Sequence, residues 1–179
     1  MLQQNTTNNT LMKSIGIFYG STTGKTEKIV QRIKEQFTNT QIDIYNVIHV
    51  SESDLEKYDN IILGTSTWGK AELQEDFKNF LPILKNANLK GKKIAIFGVG
   101  DSSKYPVSFA DSIGIIFEVL EGKGVIFVGE FSIKGYEFES SLSIFNDSFI
   151  GLPIDEDSDC ELNKARISMW TDMLKVNLN

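Results

Sequence analysis

Ile15-Gly16-Ile17-Phe18-Tyr19-Gly20-Ser21-Thr22-Thr23-Gly24-Lys25-Thr26 is the stretch from which the rest of this chain can be read. An apolar strand runs into a loop of glycines and hydroxyls, and the loop opens a helix. Such a loop turns backbone N–H groups toward one point with a helix N-terminus behind them, which is how a protein holds a phosphate. Two familiar phosphate loops do not fit. A nucleotide-triphosphatase loop needs a glycine five positions before Gly24; Tyr19 stands there, and Gly20 leaves the loop one residue short. Nor does a buried strand end in an acid for magnesium, since Asn60–Thr65 closes on Gly64-Thr65. The dinucleotide fingerprint is also missing: Gly98-Val99-Gly100-Asp101 is followed by Ser-Ser-Lys without a third glycine.

Outward from that loop, strand-like runs alternate with helical patterns. Ser14–Tyr19 reads as the first strand, and residues 25–37 as a helix with Ile29, Val30, Ile33 and Phe37 on one face. Gln41–Ile48 alternates like an edge strand, whereas Asn60–Thr65 and Lys93–Phe97 are continuous apolar runs of the kind buried on both faces of a parallel sheet. Between these two runs, residues 72–84 predict a helix from Glu72 to about Phe80 that Pro82 disturbs. A further helix is expected over 107–121, stopped by Gly122 and Gly124, then a fifth strand at Val125–Val128. The last helix, 161–176, places Leu162, Ala165, Met169, Trp170, Met173 and Leu174 on one predicted stripe. Five β-α repeats predict a doubly wound α/β sandwich. Residues 129–148 break the rhythm with polar and aromatic residues and read as a loop inserted within the fifth strand, which resumes at Phe149-Ile150-Gly151-Leu152.

The bulk numbers bound the function. At 179 residues one domain over 13–179 is expected. The uncharged residues 1–12, rich in Asn, Thr and Gln, read as a disordered extension without the pattern of a secretory signal, and Met12 is a second candidate start. One cysteine, Cys160, and one histidine, His49, make zinc sites and Cys–His dyads poor candidates and favour a reducing cytoplasm. The net charge is −6, and all of the excess lies in residues 91–179, with eight Lys/Arg against fourteen Asp/Glu. That half disfavours nucleic acid or an anionic membrane as partner and favours a basic partner protein. No apolar run reaches membrane-spanning length. Asp155-x-Asp157-x-Asp159 begins like a calcium loop, but Cys160 takes its glycine position and Arg166 its bidentate glutamate position; an acidic turn capping the last helix is the expectation.

Three loops fall at the carboxyl ends of consecutive central strands, where open α/β sheets place their ligand crevice. The first, 20–26, offers phosphate donors. The second, Thr65-Ser66-Thr67-Trp68-Gly69-Lys70, offers hydroxyls and a large aromatic. The third runs from Gly98-Val99-Gly100-Asp101 to Tyr105 and offers glycines, a carboxylate and a second aromatic. Two aromatics flanking a slot, with a monophosphate anchor at its end, suit flavin mononucleotide, FMN.

These motifs, in this order, resemble the flavodoxin family, and the insertion at 129–148 resembles that of its long-chain members; the likeness covers residues 13–176. Ile17–Glu27 is similar to the family's phosphate loop almost letter for letter, Thr67-Trp68 with Glu72-Leu73-Gln74 to its second loop, and Phe97–Asp101 with Tyr105 and Phe109 to its third. The resemblance implies a flavodoxin-like sheet of order 2-1-3-4-5 and a cytoplasmic, monomeric electron-transfer protein rather than an enzyme. It implies that Ser21, Thr22, Thr23, Gly24, Lys25 and Thr26 hold the phosphate mostly through backbone N–H groups, with the Lys25 side chain pointing to solvent. Trp68 and Tyr105 would sandwich the isoalloxazine, backbone at 98–101 with Asp101 nearby would meet the pyrimidine edge, and Thr67 and Asp157 would lie near the ribityl chain. Gly69, where some long-chain relatives carry a bulkier residue, is expected to ease the peptide flip that stabilises the semiquinone. The implied function is that of a low-potential one-electron carrier shuttling between semiquinone and hydroquinone, serving the basic faces of an NAD(P)H-dependent flavodoxin reductase and electron acceptors. An FMN-dependent NAD(P)H oxidoreductase on the same fold is the alternative; it needs room for a nicotinamide beside the flavin.

Overall fold

The computed structural model describes residues 13–69, 71–156 and 158–178. The expectations placed on residues 1–12, Lys70 and Asp157 lie outside the described residues. The central sheet holds β1 (Ile15–Tyr19), β2 (Ile42–Asn46), β3 (Asn60–Trp68), β5 (Lys93–Gly100) and β10 (Leu152–Asp155), in the order β10-β5-β3-β1-β2, all parallel. A two-residue strand, β4 (Glu72–Leu73), folds back antiparallel on the end of β3, with Trp68 opposite Glu72. The central strands bury nearly every side chain, as their unbroken apolar runs require.

The fifth strand is divided. Its first part, β6 (Ile126–Phe127), pairs with Lys93 and Ile94 of β5, and its second part, β10, pairs with Phe97–Gly100 on the same edge. The sheet order is therefore the expected one, and the insertion does leave from within the fifth strand. The inserted chain has structure of its own: β7 (Phe131–Ser132), β8 (Ile144–Phe145) and β9 (Ser148–Phe149) form a small antiparallel sheet. Its aromatics extend the main core, with Phe138 stacked on Phe109, a residue outside the insertion, at 5.7 Å and Tyr136 edge-on to Phe149 at 5.1 Å.

Helix α1 (Lys25–Glu35) packs with α5 (Cys160–Asn177), and α3 (Glu75–Asn86) with α4 (Ser112–Leu120), so both faces of the sheet are covered. A short α2 (Glu52–Glu56), opened by a Ser51–Asp54 capping box, has no counterpart among the helices expected from the sequence. Three helical expectations need correction. Residues 72–74 belong to β4 and the N-cap of α3, and α3 then continues through the exposed Pro82 to Asn86. The buried stripe Phe77, Phe80 and Leu84 holds the helix against the loss of one backbone donor. Residues 107–111 form turns, with Ala110 at φ 53°, before α4 begins. Finally, α5 buries Asn163, Arg166, Ile167, Trp170, Thr171 and Leu174, and leaves Leu162, Ala165, Met169 and Met173 outside. Trp170 sets that rotation: its Nε1 donates to the Gly129 carbonyl at 2.7 Å while its ring meets Phe97 edge-on.

Among the described residues no helix is long and apolar enough to cross a membrane, and no group of three or more His, Cys, Asp or Glu is placed to hold a metal ion.

Candidate functional site

A cleft of about 290 Å³ opens at the carboxyl ends of the central strands. Its first wall is the loop after β1, contributing Ser21, Thr22, Thr23, Lys25 and Thr26. Gly24, in the left-handed region at φ 77°, is the N-cap of α1, and no side chain caps the helix. The first-turn amides of an eleven-residue helix are thus left for an acceptor from outside. The Ser21 hydroxyl is buried without a partner in the same loop. Thr22 is held from below, its Oγ1 accepting from Gln74 Nε2 at 3.0 Å.

The second wall comes from the end of β3. Ser66, Thr67, Trp68 and Gly69 line the cleft, while Thr65 lies buried in the strand beneath them with its hydroxyl unpartnered. Trp68 is 44% exposed, its Nε1 donating to Ser66 Oγ at 2.8 Å. The Thr67 hydroxyl accepts from Ser112 N at 3.0 Å, tying this loop to the start of α4. Gly69 adopts φ 53°, at the turn that lets β4 return along β3; a side chain there would be strained.

The third wall follows β5: Val99, Gly100, Asp101 and Tyr105, with Lys104 beside them. Tyr105 is 38% exposed, a second large aromatic open to the cleft. Burial opposes ionisation of Asp101, but hydrogen bonds from the Lys104 side chain and amide and from Ser103 outweigh it and hold the carboxyl below its usual range. Gly98 sits under this wall rather than on it, its Cα facing Ser112 and Ile113. Phe109 lies away from the cleft, fully buried against Tyr136, Phe138 and Phe149 of the insertion.

A fourth segment, represented among the expected site residues only by Asp157, contributes a residue that sequence reasoning did not single out. Glu156, directly after β10, lines the cleft, donates its amide to the Gly100 carbonyl at 2.8 Å, and accepts from Lys25 Nζ at 2.5 Å. The signal existed: Asp155-Glu156 also stands at the carboxyl end of a strand, but the split in that strand hid it. The Lys25 side chain is 59% exposed and spans the rim toward Glu156, which joins the first and fourth walls. Anchoring donors at one end and two open aromatics beyond them make the cleft a receptacle for a phosphate joined to a flat ring.

The chain has relatives among known proteins. The chain is 42% identical over 170 residues to a flavodoxin of Buchnera aphidicola, covering 94% of this chain and 98% of the relative. It is 40% identical over 165 residues to a flavodoxin of Synechococcus elongatus, covering 92% and 97%. Among solved structures, Fusobacterium nucleatum flavodoxin bound to flavin mononucleotide superposes with a TM-score of 0.89 at 31% identity, covering 94% of this chain and all of that one. The family model described as Flavodoxin matches residues 17–170, and with it the chain belongs to the flavodoxin family.

Proposed function

We propose that this chain is a low-potential one-electron carrier that holds FMN non-covalently in the cleft. One observation carries the reading: the uncapped N-terminus of α1, the unpartnered Ser21 hydroxyl and the exposed rings of Trp68 and Tyr105 all converge on a single cleft. Bound FMN supplies the redox chemistry. The α1 amides and the Ser21–Thr26 loop anchor its phosphate, and Trp68 and Tyr105 cover the ring and exclude water. Asp101 and Glu156 line the cleft paired with Lys104 and Lys25, so the charges of the rim balance; the aromatic slot would disfavour the anionic form of the fully reduced ring and so separate the two one-electron steps. No side chain is required as nucleophile or general acid.

Partners fit the same reading. The acidic excess of residues 91–179 suits weak, salt-sensitive docking of a basic protein face, as on a flavodoxin reductase or an electron acceptor. We assign the protein to the cytoplasm and a monomeric state, on its single cysteine and the self-contained site. The test is stepwise anaerobic reduction of the FMN-loaded protein followed in the visible. Accumulation of a long-wavelength one-electron-reduced species, with no direct reaction with NAD(P)H, is the expected result. Bleaching by NAD(P)H in one two-electron step would instead make the protein an oxidoreductase.

A further inference from the structure

The turn between Asp101 and Tyr105 carries two of the groups assigned to the flavin, and a carboxylate that does not line the cleft holds that turn from behind. Asp155, 4% exposed at the end of β10, accepts from Ser102 N at 3.0 Å on one oxygen and from Ser102 Oγ at 2.7 Å on the other. The turn closes on itself through Tyr105 N to the Asp101 carbonyl at 3.0 Å, so fixing Ser102 fixes the whole bend. Asp155 is itself held. Its carbonyl accepts from Asn163 Nδ2 at 2.7 Å, and its Oδ2 from Ser158 Oγ at 3.3 Å. Ser158 Oγ in turn accepts from Arg166 Nη1 at 3.1 Å.

Arg166 carries the chain of contacts into the insertion. Its Nη2 donates to the Gly135 carbonyl at 2.5 Å and its guanidinium lies 3.7 Å over the Tyr136 ring. The Tyr136 hydroxyl donates to the Pro153 carbonyl at 2.8 Å, two residues before Asp155. All the hydrogen bonds but the 3.3 Å contact from Ser158 to Asp155 are 3.1 Å or shorter and most of the groups are buried, so contacts on the far side of β10 bear on the geometry at Ser102.

We propose that Asp155 is a positioning residue for flavin binding, clamping the Asp101–Tyr105 turn through Ser102, and that Arg166 extends the clamp to the Gly135–Tyr136 end of the insertion; this rests on the FMN reading above. Three features distinguish the role from general core stability. Asparagine at 155 can still accept from Ser102 N with its oxygen and donate to Ser102 Oγ with its amide, so it keeps the two-point clamp. Alanine loses both contacts and leaves a buried donor unpaired. Lysine at 166 keeps the charge but cannot bridge two acceptors while stacking on a ring.

The experiment is titration of apoprotein with FMN, followed by quenching of flavin fluorescence, on wild type and on Asp155→Ala, Asp155→Asn, Ser102→Ala, Arg166→Lys and the Asp155→Ala/Ser102→Ala pair. Apoprotein thermal melts run in parallel. Asp155→Ala weakens FMN binding about tenfold or more, while Asp155→Asn stays within about threefold of wild type. Arg166→Lys weakens it severalfold. Ser102→Ala weakens it on its own yet adds little to Asp155→Ala, because the hydroxyl contact it removes is already lost there. Should Asp155→Ala fail to fold, Ser102→Ala and Arg166→Lys carry the comparison. Variants that bind FMN like wild type, or losses at 155 and 102 that simply add, overturn the clamp. Wild-type apoprotein that leaves FMN unquenched overturns the FMN reading itself, and the clamp with it.

Discussion

The side-chain amide of Gln74 donates to the hydroxyl of Thr22 at 3.0 Å, joining the N-cap of α3 to the phosphate loop across 52 residues of sequence. Gln74 is 1% exposed, and its Oε1 also accepts from Phe77 N at 3.0 Å, so one side chain caps a helix and braces a loop. Gly20 makes the approach feasible: a Cβ there would stand 2.3 Å from that same Oε1. Gln74→Ala is expected to destabilise the apoprotein by about 1 kcal/mol through the lost cap. It should also weaken FMN binding severalfold. Urea unfolding and FMN titration measure the two effects separately, and Gly20→Ala should reproduce the second.

Gly69, at φ 53°, sits beside Trp68 at the tip of the second wall. Alanine at a left-handed position costs about 1 kcal/mol. Gly69→Ala should therefore restrict the peptide movement proposed there and reduce the yield of one-electron-reduced flavin in an anaerobic titration. An unchanged one-electron spectrum would count against a flip at this peptide.

Burial pushes the Asp111 carboxyl above its usual range, against the opposing hydrogen bonds from Leu142 N and Ser141. A folded-state pKa above the unfolded one means the native state binds more protons between the two values. Its contribution to stability is present below the unfolded pKa and is lost as pH rises through the folded one. Asp111→Asn should thus be at least as stable as wild type at pH 7, with the difference shrinking as pH falls into the carboxylate range. Chemical denaturation of the two apoproteins between pH 4 and 8 checks the sign.

Charge steering predicts a strong salt effect. Electron transfer to a basic redox protein should slow about tenfold or more as added salt shortens the screening length from ~30 Å to ~8 Å. Stopped-flow rates against ionic strength test this, and a flat profile would remove the acidic half from the docking argument.

Much of the site was legible because it is made of short stretches that act where they stand. Ser21–Thr26, Ser66–Gly69 and Val99–Tyr105 each follow an apolar run, and the rule that ligands gather beyond strand ends brings them together. Glu156 and Asp155 were harder to see, because the strand that delivers them begins at Ile126 and finishes at Asp155 with an entire small sheet between. The face buried by α5 was harder still. Leu162, Met169 and Met173 are apolar, and Asn163, Arg166 and Thr171 are not, so periodicity favours the wrong face. Arg166 is nonetheless buried because Ser158, Gly135 and Tyr136 satisfy it.

The sequence by itself determined the β-α alternation, the phosphate loop and the place of the insertion, since these depend on local periodicity, turn residues and an unusual run of glycines and hydroxyls. Only the tertiary structure decided where Gln74 caps, how far α3 passes Pro82, which side of α5 turns inward and how Asp155 grips Ser102. Those outcomes depend on partners tens of residues away, whose hydrogen bonds and packing outweigh the local preferences of the residues they meet.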